Sequence, residues 1–181
     1  MSKENYEKPN IVRHTVGMMN EFGRPSGRSI CAEIEGVSVD GLIKEYGSPL
    51  IVLSESTIRE KHAELQRAFS LRYPKIQIAW SYKTNYLKAV CAIMHQEGSW
   101  AEVVSEHEYE MAKKLGVEGN RIIVNGPYKT DSFLLTAIKD RAIINIDNLD
   151  EVYAMEKIAA AFGEPVEIGM RINMDTGMYP A

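Results

Sequence analysis

A lysine at the end of an apolar segment is the residue of this chain best suited to covalent chemistry. Ile76, Ile78 and Trp80 alternate with smaller or polar residues, which is the period-two pattern of a β-strand, and Lys83 follows where the pattern ends. A strand end can hold the amine in a pocket, where burial disfavours the ammonium form and leaves a nucleophile for aldehydes. The position therefore predicts Schiff-base chemistry at Lys83. A solvated lysine that only follows a strand is the commoner alternative.

Length and composition describe an ordinary globular protein and leave small-molecule partners open. The 181 residues suffice for one domain, or for one domain and a piece of another. Apolar residues make up 45% of the chain and charged residues 25%, and the net charge is -4. Because the sequence has no block of basic residues, we expect no nucleic-acid partner and no binding to an anionic membrane surface.

Cysteine usage and hydropathy together predict a cytoplasmic protein. Cys31 and Cys91 are far apart, fit no metal-ligand spacing and have apolar neighbours, so we expect free thiols in a reducing compartment and no metal site. Residues 1–10 are polar and lack the apolar core of a signal peptide. No apolar run of the sequence reaches the length of a membrane span.

Apolar patterning predicts strands and helices in strict alternation. The helical segments have apolar residues on one stripe, and the strand segments are short and apolar. We expect Asp131 to cap one helix and either Asp147 or Asn148 to cap the next. A strand at 29–34 and a helix at 39–46 come first. The strands that follow span residues 50–53, 76–81, 100–104, 121–125, 142–146 and 166–172, and the helices between them span 57–72, 87–96, 106–115, 131–139 and 149–162.

This alternation predicts an α/β fold in which parallel strands are covered by helices. Both a (β/α)8 TIM-type barrel and an open doubly wound sheet are compatible with it. An open sheet would carry a glycine-rich phosphate loop after its first strand, and Ser54-Glu55-Ser56 is unlike such a loop. We therefore favour an incomplete barrel of about six strands, with open edges at residues 50–53 and 166–172.

Five stretches of the chain match the motifs of one enzyme family in their order. They are Tyr-Gly-Ser-Pro-Leu-Ile-Val at 46–52, Ser-Tyr-Lys-Thr-Asn at 81–85, Ala-Glu-Val-Val-Ser-Glu-His-Glu at 101–108, Asn-Gly-Pro-Tyr-Lys at 125–129 and Gly-Met-Arg-Ile-Asn at 169–173. With them the chain resembles the fold-type III pyridoxal-phosphate decarboxylases, the diaminopimelate and ornithine/arginine decarboxylase group. The resemblance covers roughly residue 29 to the C-terminus and implies a barrel of the alanine racemase-like fold.

The resemblance implies a carbon–carbon lyase that decarboxylates an amino acid, diaminopimelate-like or basic, with pyridoxal 5′-phosphate as cofactor. Lys83 would form the Schiff base, and Glu102, Glu108 and Arg171 would belong to a charged network beneath and beside the cofactor ring. Glu102 stands where the family more commonly has aspartate, and its extra methylene would displace the carboxylate. For Glu108, a solvated helix carboxylate is the alternative. An arginine inside an apolar strand needs a partner in any case, so we expect an ion pair at Arg171.

Five further residues, all of them histidines or tyrosines, are expected to have no chemical role. His107 lies between two glutamates at a helix start, which is a solvated position. His62 and His95 fall on predicted helices and are expected to be packing or surface residues. Tyr82 and Tyr128 are expected to pack in the core rather than to border a pocket.

The resemblance also implies a division of the chain. Residues 1–28 would be an N-terminal extension, 29–45 a strand and helix that pair with an absent C-terminal β domain, and 46–181 a partial cofactor-binding barrel. The family's phosphate-binding loop, ring-stacking histidine and β domain have no counterpart in the sequence. We therefore expect a fragment that is inactive alone and binds the cofactor weakly, from a full-length protein that would be a homodimer.

Two other functions stay compatible with the sequence. One is a decarboxylase-like binding or regulatory protein without chemistry, although the intact Lys83 argues against it. The other is a racemase or a single-barrel cofactor carrier of the same fold type, which the strand and helix at 29–45 fit less well.

Overall fold

The structure is a computed structural model, and it describes residues 31–172. Contacts divide the chain into two units, Met1–Val52 and Leu53–Ala181. The predicted extension at residues 1–28 lies outside the described residues. The predicted domain boundaries at residues 28 and 45 stay predictions.

The described part of the first unit is a short hairpin followed by a helix. Strands β1 (Glu33–Ile34) and β2 (Val37–Ser38) pair antiparallel, and helix α1 (Val39–Tyr46) follows directly. Ser38 caps α1, because its side-chain oxygen accepts a hydrogen bond from Gly41 N. The bounds of α1 confirm the predicted helix, whereas β2 was not predicted.

Five parallel strands form the sheet of the second unit, in the order β3-β4-β5-β6-β7. Consecutive strands are joined by helices, and one further helix precedes β3. Among the described residues, no helix has both the length and the apolar content needed to cross a membrane. The elements are α2 (Glu55–Ser70), β3 (Ala79–Ser81), α3 (Lys88–Gln96), β4 (Trp100–Val103), α4 (Glu106–Lys114), a 3-10 helix (Gly119–Arg121), β5 (Ile122–Val124), α5 (Asp131–Lys139), β6 (Ile143–Ile146), α6 (Leu149–Phe162) and β7 (Ile168–Met170).

The two faces of this sheet differ because side chains alternate along each strand. One face is apolar and packs against the helices. There, Ala101 and Val103 are in register with Ile122 and Val124, and all four are fully buried. The opposite face, called the inner face below, carries polar residues near the strand ends, namely Ser81, Glu102, Asn125 and Asn145.

The structure confirms the alternation of parallel strands and helices but corrects the number of strands. Residues 50–53 form no strand, so the described sheet has five strands rather than about six, and its outer strands are β3 and β7. The segment is apolar, but a strand also needs a neighbour that pairs with its backbone groups. Residues 50–53 have no such neighbour within the part of the chain that the structure describes.

The start of α5 is a second correction. Thr130, rather than Asp131, is the N-cap: its hydroxyl accepts a hydrogen bond from Phe133 N at 3.2 Å, and Asp131 is the first helical residue. Asn148 caps α6, one of the two predicted possibilities, and its Oδ1 accepts a hydrogen bond from Glu151 N at 3.0 Å. An N-cap residue needs an extended backbone and a side chain that reaches a free backbone N–H of the first turn. The sequence alone therefore places the N-cap only to within one position.

Candidate active site

A cleft of about 560 Å³ lies at the carboxyl ends of the parallel strands. Residues that are far apart in sequence converge there, because every strand of a parallel sheet ends at the same edge. Three of the four predicted site residues line the cleft, Lys83, Glu102 and Arg171, whereas Glu108 does not. The other lining residues are Val104, Asn125, Gly126, Pro127, Asn145, Asp147 and Met170.

Lys83 occupies a turn that directly follows β3. Thr84 closes this turn, since its backbone N and its Oγ1 both donate to Ser81 O, at 3.2 and 2.7 Å. The Lys83 amine makes no hydrogen bond or ion pair with any residue between 31 and 172, and the residue is exposed. The expected withdrawal of this amine from water is therefore not observed, because Lys83 lies in an exposed turn beyond the last residue of β3.

A buried chain of hydrogen bonds lies behind the turn. Tyr82 is fully buried, and its hydroxyl lies 2.8 Å from His95 Nε2, while His95 Nδ1 lies 2.9 Å from Ser99 O. Because a carbonyl oxygen only accepts hydrogen bonds, His95 donates one from Nδ1 to Ser99 O. Its Nε2 then accepts a hydrogen bond from the Tyr82 hydroxyl. Burial lowers the pKa of His95 and raises the pKa of Tyr82, so both side chains are neutral near neutral pH. This chain fixes the residue next to Lys83.

Glu102 is held on the inner face by two asparagines. Its Oε1 accepts a hydrogen bond from Asn125 Nδ2 at 2.8 Å, and Asn125 Oδ1 accepts one from Asn145 Nδ2 at 2.7 Å. Neither asparagine was predicted as a site residue. A signal was present in the sequence, because a polar side chain in an otherwise apolar strand has to find a partner when it is shielded from water.

Glu108 binds the junction between β4 and α4 and does not reach the cleft. Its Oε2 accepts a hydrogen bond from Val104 N at 2.7 Å, and its own backbone N donates to Ser105 Oγ at 3.3 Å. This arrangement is similar to a capping box. Glu108 is partly buried, so it is not the solvated carboxylate of the alternative. It instead fixes the backbone of Val104, which lines the cleft.

Arg171 directly follows β7 and pairs with Asp147 across the cleft edge. Its Nη1 lies 2.7 Å from Asp147 Oδ1, and the two side chains are 59% and 16% exposed. The hydrogen bond with Asp147 raises the pKa of the guanidinium. The predicted ion pair is confirmed. The predicted place inside an apolar strand is wrong, because β7 ends at Met170 and Arg171 is open to solvent.

A buried ion pair between Lys129 and Glu151 lies next to the cleft wall and is hydrogen-bonded to its backbone. Lys129 Nζ also donates to Gly126 O at 2.7 Å, and Glu151 Oε2 also accepts from Asp147 N at 2.9 Å. Gly126 and Asp147 both line the cleft, so the pair fixes two parts of its wall. Neither member was predicted as a site residue, although a glutamate three positions after the N-cap Asn148 is a common capping pattern.

The five residues that were expected to have no chemical role all lie outside the cleft lining. His107 is exposed, as predicted. His62 is buried and lies 2.9 Å, through Nε2, from Ser99 Oγ. Tyr128 is 76% exposed, so its predicted core position is wrong, because the residue lies in the loop after β5 rather than on the strand.

Comparisons with known proteins identify relatives of this chain. A family model described as pyridoxal-dependent decarboxylase, pyridoxal binding domain, matches residues 55–179. Diaminopimelate decarboxylases from Methanothermobacter thermautotrophicus and Aquifex aeolicus are 34% and 31% identical to the chain, over 77% and 78% of its length and 32% and 33% of theirs. A crystal structure of diaminopimelate decarboxylase from M. jannaschii in complex with L-lysine matches with a TM-score of 0.67 at 27% identity, over 76% of this chain and 33% of that one.

The chain thus spans about a third of the length of these relatives. The structural match confirms the predicted fold class, an incomplete (β/α) barrel with a parallel sheet. The family model covers well over half of the chain. The chain therefore belongs to the pyridoxal-dependent decarboxylase family, whose cofactor is pyridoxal 5′-phosphate.

Proposed function

We propose that this chain forms the cofactor-binding part of an amino-acid decarboxylase, with Lys83 as the Schiff-base lysine. The observation that carries the proposal is the state of the Lys83 amine, which lines the cleft without a hydrogen bond or ion pair from residues 31–172. An amine without such partners is available to condense with an aldehyde once it has lost its proton. An amine held in an ion pair would first have to be released.

The residues around the cleft fit the aldehyde end and the ring of pyridoxal 5′-phosphate. Lys83 would hold the cofactor through its aldehyde carbon. Glu102 supplies a carboxylate and Arg171 a guanidinium to the cleft lining, and these groups of opposite charge would flank a bound polar ring. Ser81 Oγ is buried without a hydrogen-bond partner among the described residues, and Ser81 is in register with Glu102 on the inner face. An unpartnered hydroxyl on this face is compatible with a polar ligand there, although Ser81 itself does not line the cleft.

When bound, the cofactor would supply an electron sink for the electrons released as carbon dioxide leaves. The residues of this chain would bind it and fix its orientation. Glu102 presents a carboxylate on the inner face. Glu108 and Glu151 would act indirectly. They accept hydrogen bonds from the backbone N–H groups of Val104 and Asp147, and so fix parts of the cleft wall. Such positioning supplies a large part of the rate enhancement of enzymes.

Diaminopimelate or a basic amino acid is the substrate that we propose for the whole protein. The support is the similarity to proteins named diaminopimelate decarboxylase, one of which was crystallised with L-lysine. The resemblance to this family also leads us to propose a homodimer for the full-length protein.

Borohydride trapping tests the role of Lys83. Borohydride reduces the bond between a lysine and a bound aldehyde to a stable amine, which peptide mass spectrometry locates. With pyridoxal 5′-phosphate as the aldehyde, the reduced adduct is a covalent label on the lysine that held it. We expect this label at Lys83 in the unaltered chain and its loss in Lys83→Ala. It should be retained in Lys88→Ala, which removes an exposed lysine at the start of α3. Similar labelling of many lysines, or a label that survives Lys83→Ala, would overturn the assignment.

Competition for the same label tests the substrate class. An amino acid that takes the cofactor aldehyde from Lys83 before reduction lowers the label at Lys83. We expect diaminopimelate and L-lysine to lower it more than L-glutamate at equal concentration. An equal effect of the acidic amino acid would contradict the proposed preference.

A further inference from the structure

We propose that Asn125 and Asn145 are positioning residues, which hold the Glu102 carboxylate in one orientation in the cleft. The inference rests on the proposed function in one respect, that Glu102 faces the cofactor. The contacts themselves are properties of the chain. They form a relay of two hydrogen bonds, 2.8 and 2.7 Å long, that crosses three neighbouring strands.

The strand register shows why the length of Glu102 matters. Asn145 is in register with Gly169, and continuation of the β5–β6 register puts Asn125 in the same row of the inner face. Glu102 is in register with Ile123, one inner-face row below. Its side chain has to reach up one row to meet Asn125. Removal of one methylene would retract the carboxylate by about 1.5 Å, which is enough to break a hydrogen bond of 2.8 Å.

The charge of Glu102 sets the direction of the relay. An ionised carboxylate only accepts hydrogen bonds, so Asn125 has to present its NH2 group to Glu102. The carbonyl oxygen of Asn125 then faces Asn145, which has to present its own NH2 group in turn. Both amides therefore have a single satisfactory orientation. A neutral residue in place of Glu102 would remove the reason for this direction.

Gly169 provides the space for the last amide of the relay. A Cβ atom on Gly169 would lie 1.9 Å from Asn145 Oδ1 and 3.0 Å from Asn145 Cγ. Glycine at this position lets the Asn145 side chain lie flat across the neighbouring strand. The relay is thus fixed at both ends, by the Glu102 charge and by the Gly169 backbone. A fixed donor keeps the carboxylate preorganised, which is what a charged group beside a bound ring requires.

Side-chain amide resonances of the cofactor-free chain give a test that does not depend on activity. We expect Glu102→Ala to shift the NH2 resonances of Asn125 and also those of Asn145, which does not touch Glu102. Glu106→Ala, which removes an exposed carboxylate from the first turn of α4, should shift neither pair. Gly169→Ala should displace Asn145 and shift both pairs. If the chemical shifts of the Asn145 NH2 group do not change in Glu102→Ala, the proposed relay is wrong.

Cofactor affinity gives the second test, measured as Lys83 labelling against cofactor concentration. We expect Asn125→Leu to weaken the apparent affinity roughly tenfold and Asn145→Leu roughly threefold, values that correspond to the loss of a hydrogen bond to a charged group and of one to a neutral group. In a Glu102→Ala background neither change should have a further effect, because the group that they position is gone. Circular dichroism confirms that each variant is folded.

The outcomes separate this inference from the proposed function. Equal losses with and without Glu102 would show that the asparagines affect cofactor binding independently of Glu102, and would overturn the positioning role while the function stands. If even the unaltered chain is not labelled at Lys83, the proposed function fails, and the amide resonances still decide whether the relay exists.

Discussion

Lys129 Nζ lies 3.0 and 2.9 Å from the two carboxylate oxygens of Glu151, with the side chains 0% and 7% exposed. Each charge depends on the other, because an unpaired charge at a buried site is strongly destabilising. The pair also binds the backbone of Gly126 and Asp147. It therefore joins the loops that follow β5 and β6.

Loss of one member of this pair should cost much more than loss of both. We expect Lys129→Met to lower the free energy of unfolding by about 3–5 kcal/mol, because Glu151 is left buried and unpaired. Lys129→Met combined with Glu151→Leu should recover most of that loss. Urea denaturation measures both. Lys61→Met, which breaks a surface pair with Glu64, is the control and should change little. A single Lys129→Met variant as stable as the unaltered chain would contradict the argument.

The fold could be predicted from the sequence wherever local signals decide. Helix α6 begins after a capping asparagine and ends before Gly163, so its bounds were predicted without error. Strand pairing is not a local property, and this is why the apolar segment at 50–53 was assigned a strand that the structure does not have. The same limitation hid β2, a strand of two residues that exists through its partner β1.

The site could be predicted only in part, for a related reason. Lys83 and Glu102 stand at strand ends and inside recognisable motifs, so their convergence on one cleft follows from parallel pairing. The contact between Asn125 and Asn145 joins residues 20 positions apart, and the contact between Lys129 and Glu151 joins residues 22 positions apart. Such contacts depend on the register of neighbouring strands and loops, which no local pattern specifies.

Acidification should weaken the buried chain of hydrogen bonds in which His95 links Tyr82 to Ser99 O. Burial lowers the pKa of His95 in the folded protein, below the value of about 6.5 in the unfolded chain, so the unfolded state binds the proton first. The stabilisation is therefore complete above about pH 6.5 and is lost as the pH falls toward the folded pKa.

His95→Gln tests this dependence on pH. Between about pH 7.5 and pH 5.5 the unaltered chain should lose more unfolding free energy than His95→Gln, because only the former has this proton to bind. Chemical denaturation at several pH values measures the difference. His107→Gln changes an exposed histidine and should follow the unaltered chain. Parallel curves for His95→Gln and the unaltered chain would exclude His95 as the titrating group.

Glu108 should matter as a capping group at the start of α4. We expect Glu108→Ala to lower the free energy of unfolding by about 1 kcal/mol, because Val104 N loses its acceptor, and Glu108→Gln to cost less, since its side-chain oxygen can still accept. Hydrogen exchange at the Val104 amide should become faster in Glu108→Ala. Glu106→Ala, on the same helix turn but exposed, should leave that exchange rate unchanged. Slow exchange in Glu108→Ala would show that another group protects this amide.

A comparison of Gly126, in the cleft wall, with Gly98, outside it, separates the cost of backbone strain from the cost of a steric collision. Both have positive φ, +100° and +95°, a conformation that costs other residues about 1–3 kcal/mol. A Cβ atom on Gly126 would also lie 2.5 Å from Val104 O, whereas a Cβ atom on Gly98 would meet nothing within 4 Å. Gly126→Ala should therefore lower the thermal midpoint more than Gly98→Ala. Because Gly126 and Val104 line the cleft, Gly126→Ala should also reduce cofactor labelling at Lys83, and Gly98→Ala should not. Equal melting temperatures for the two variants would contradict this argument. They would mean that the backbone after β5 can move away from Val104 O at little cost, so that the added Cβ atom causes no collision.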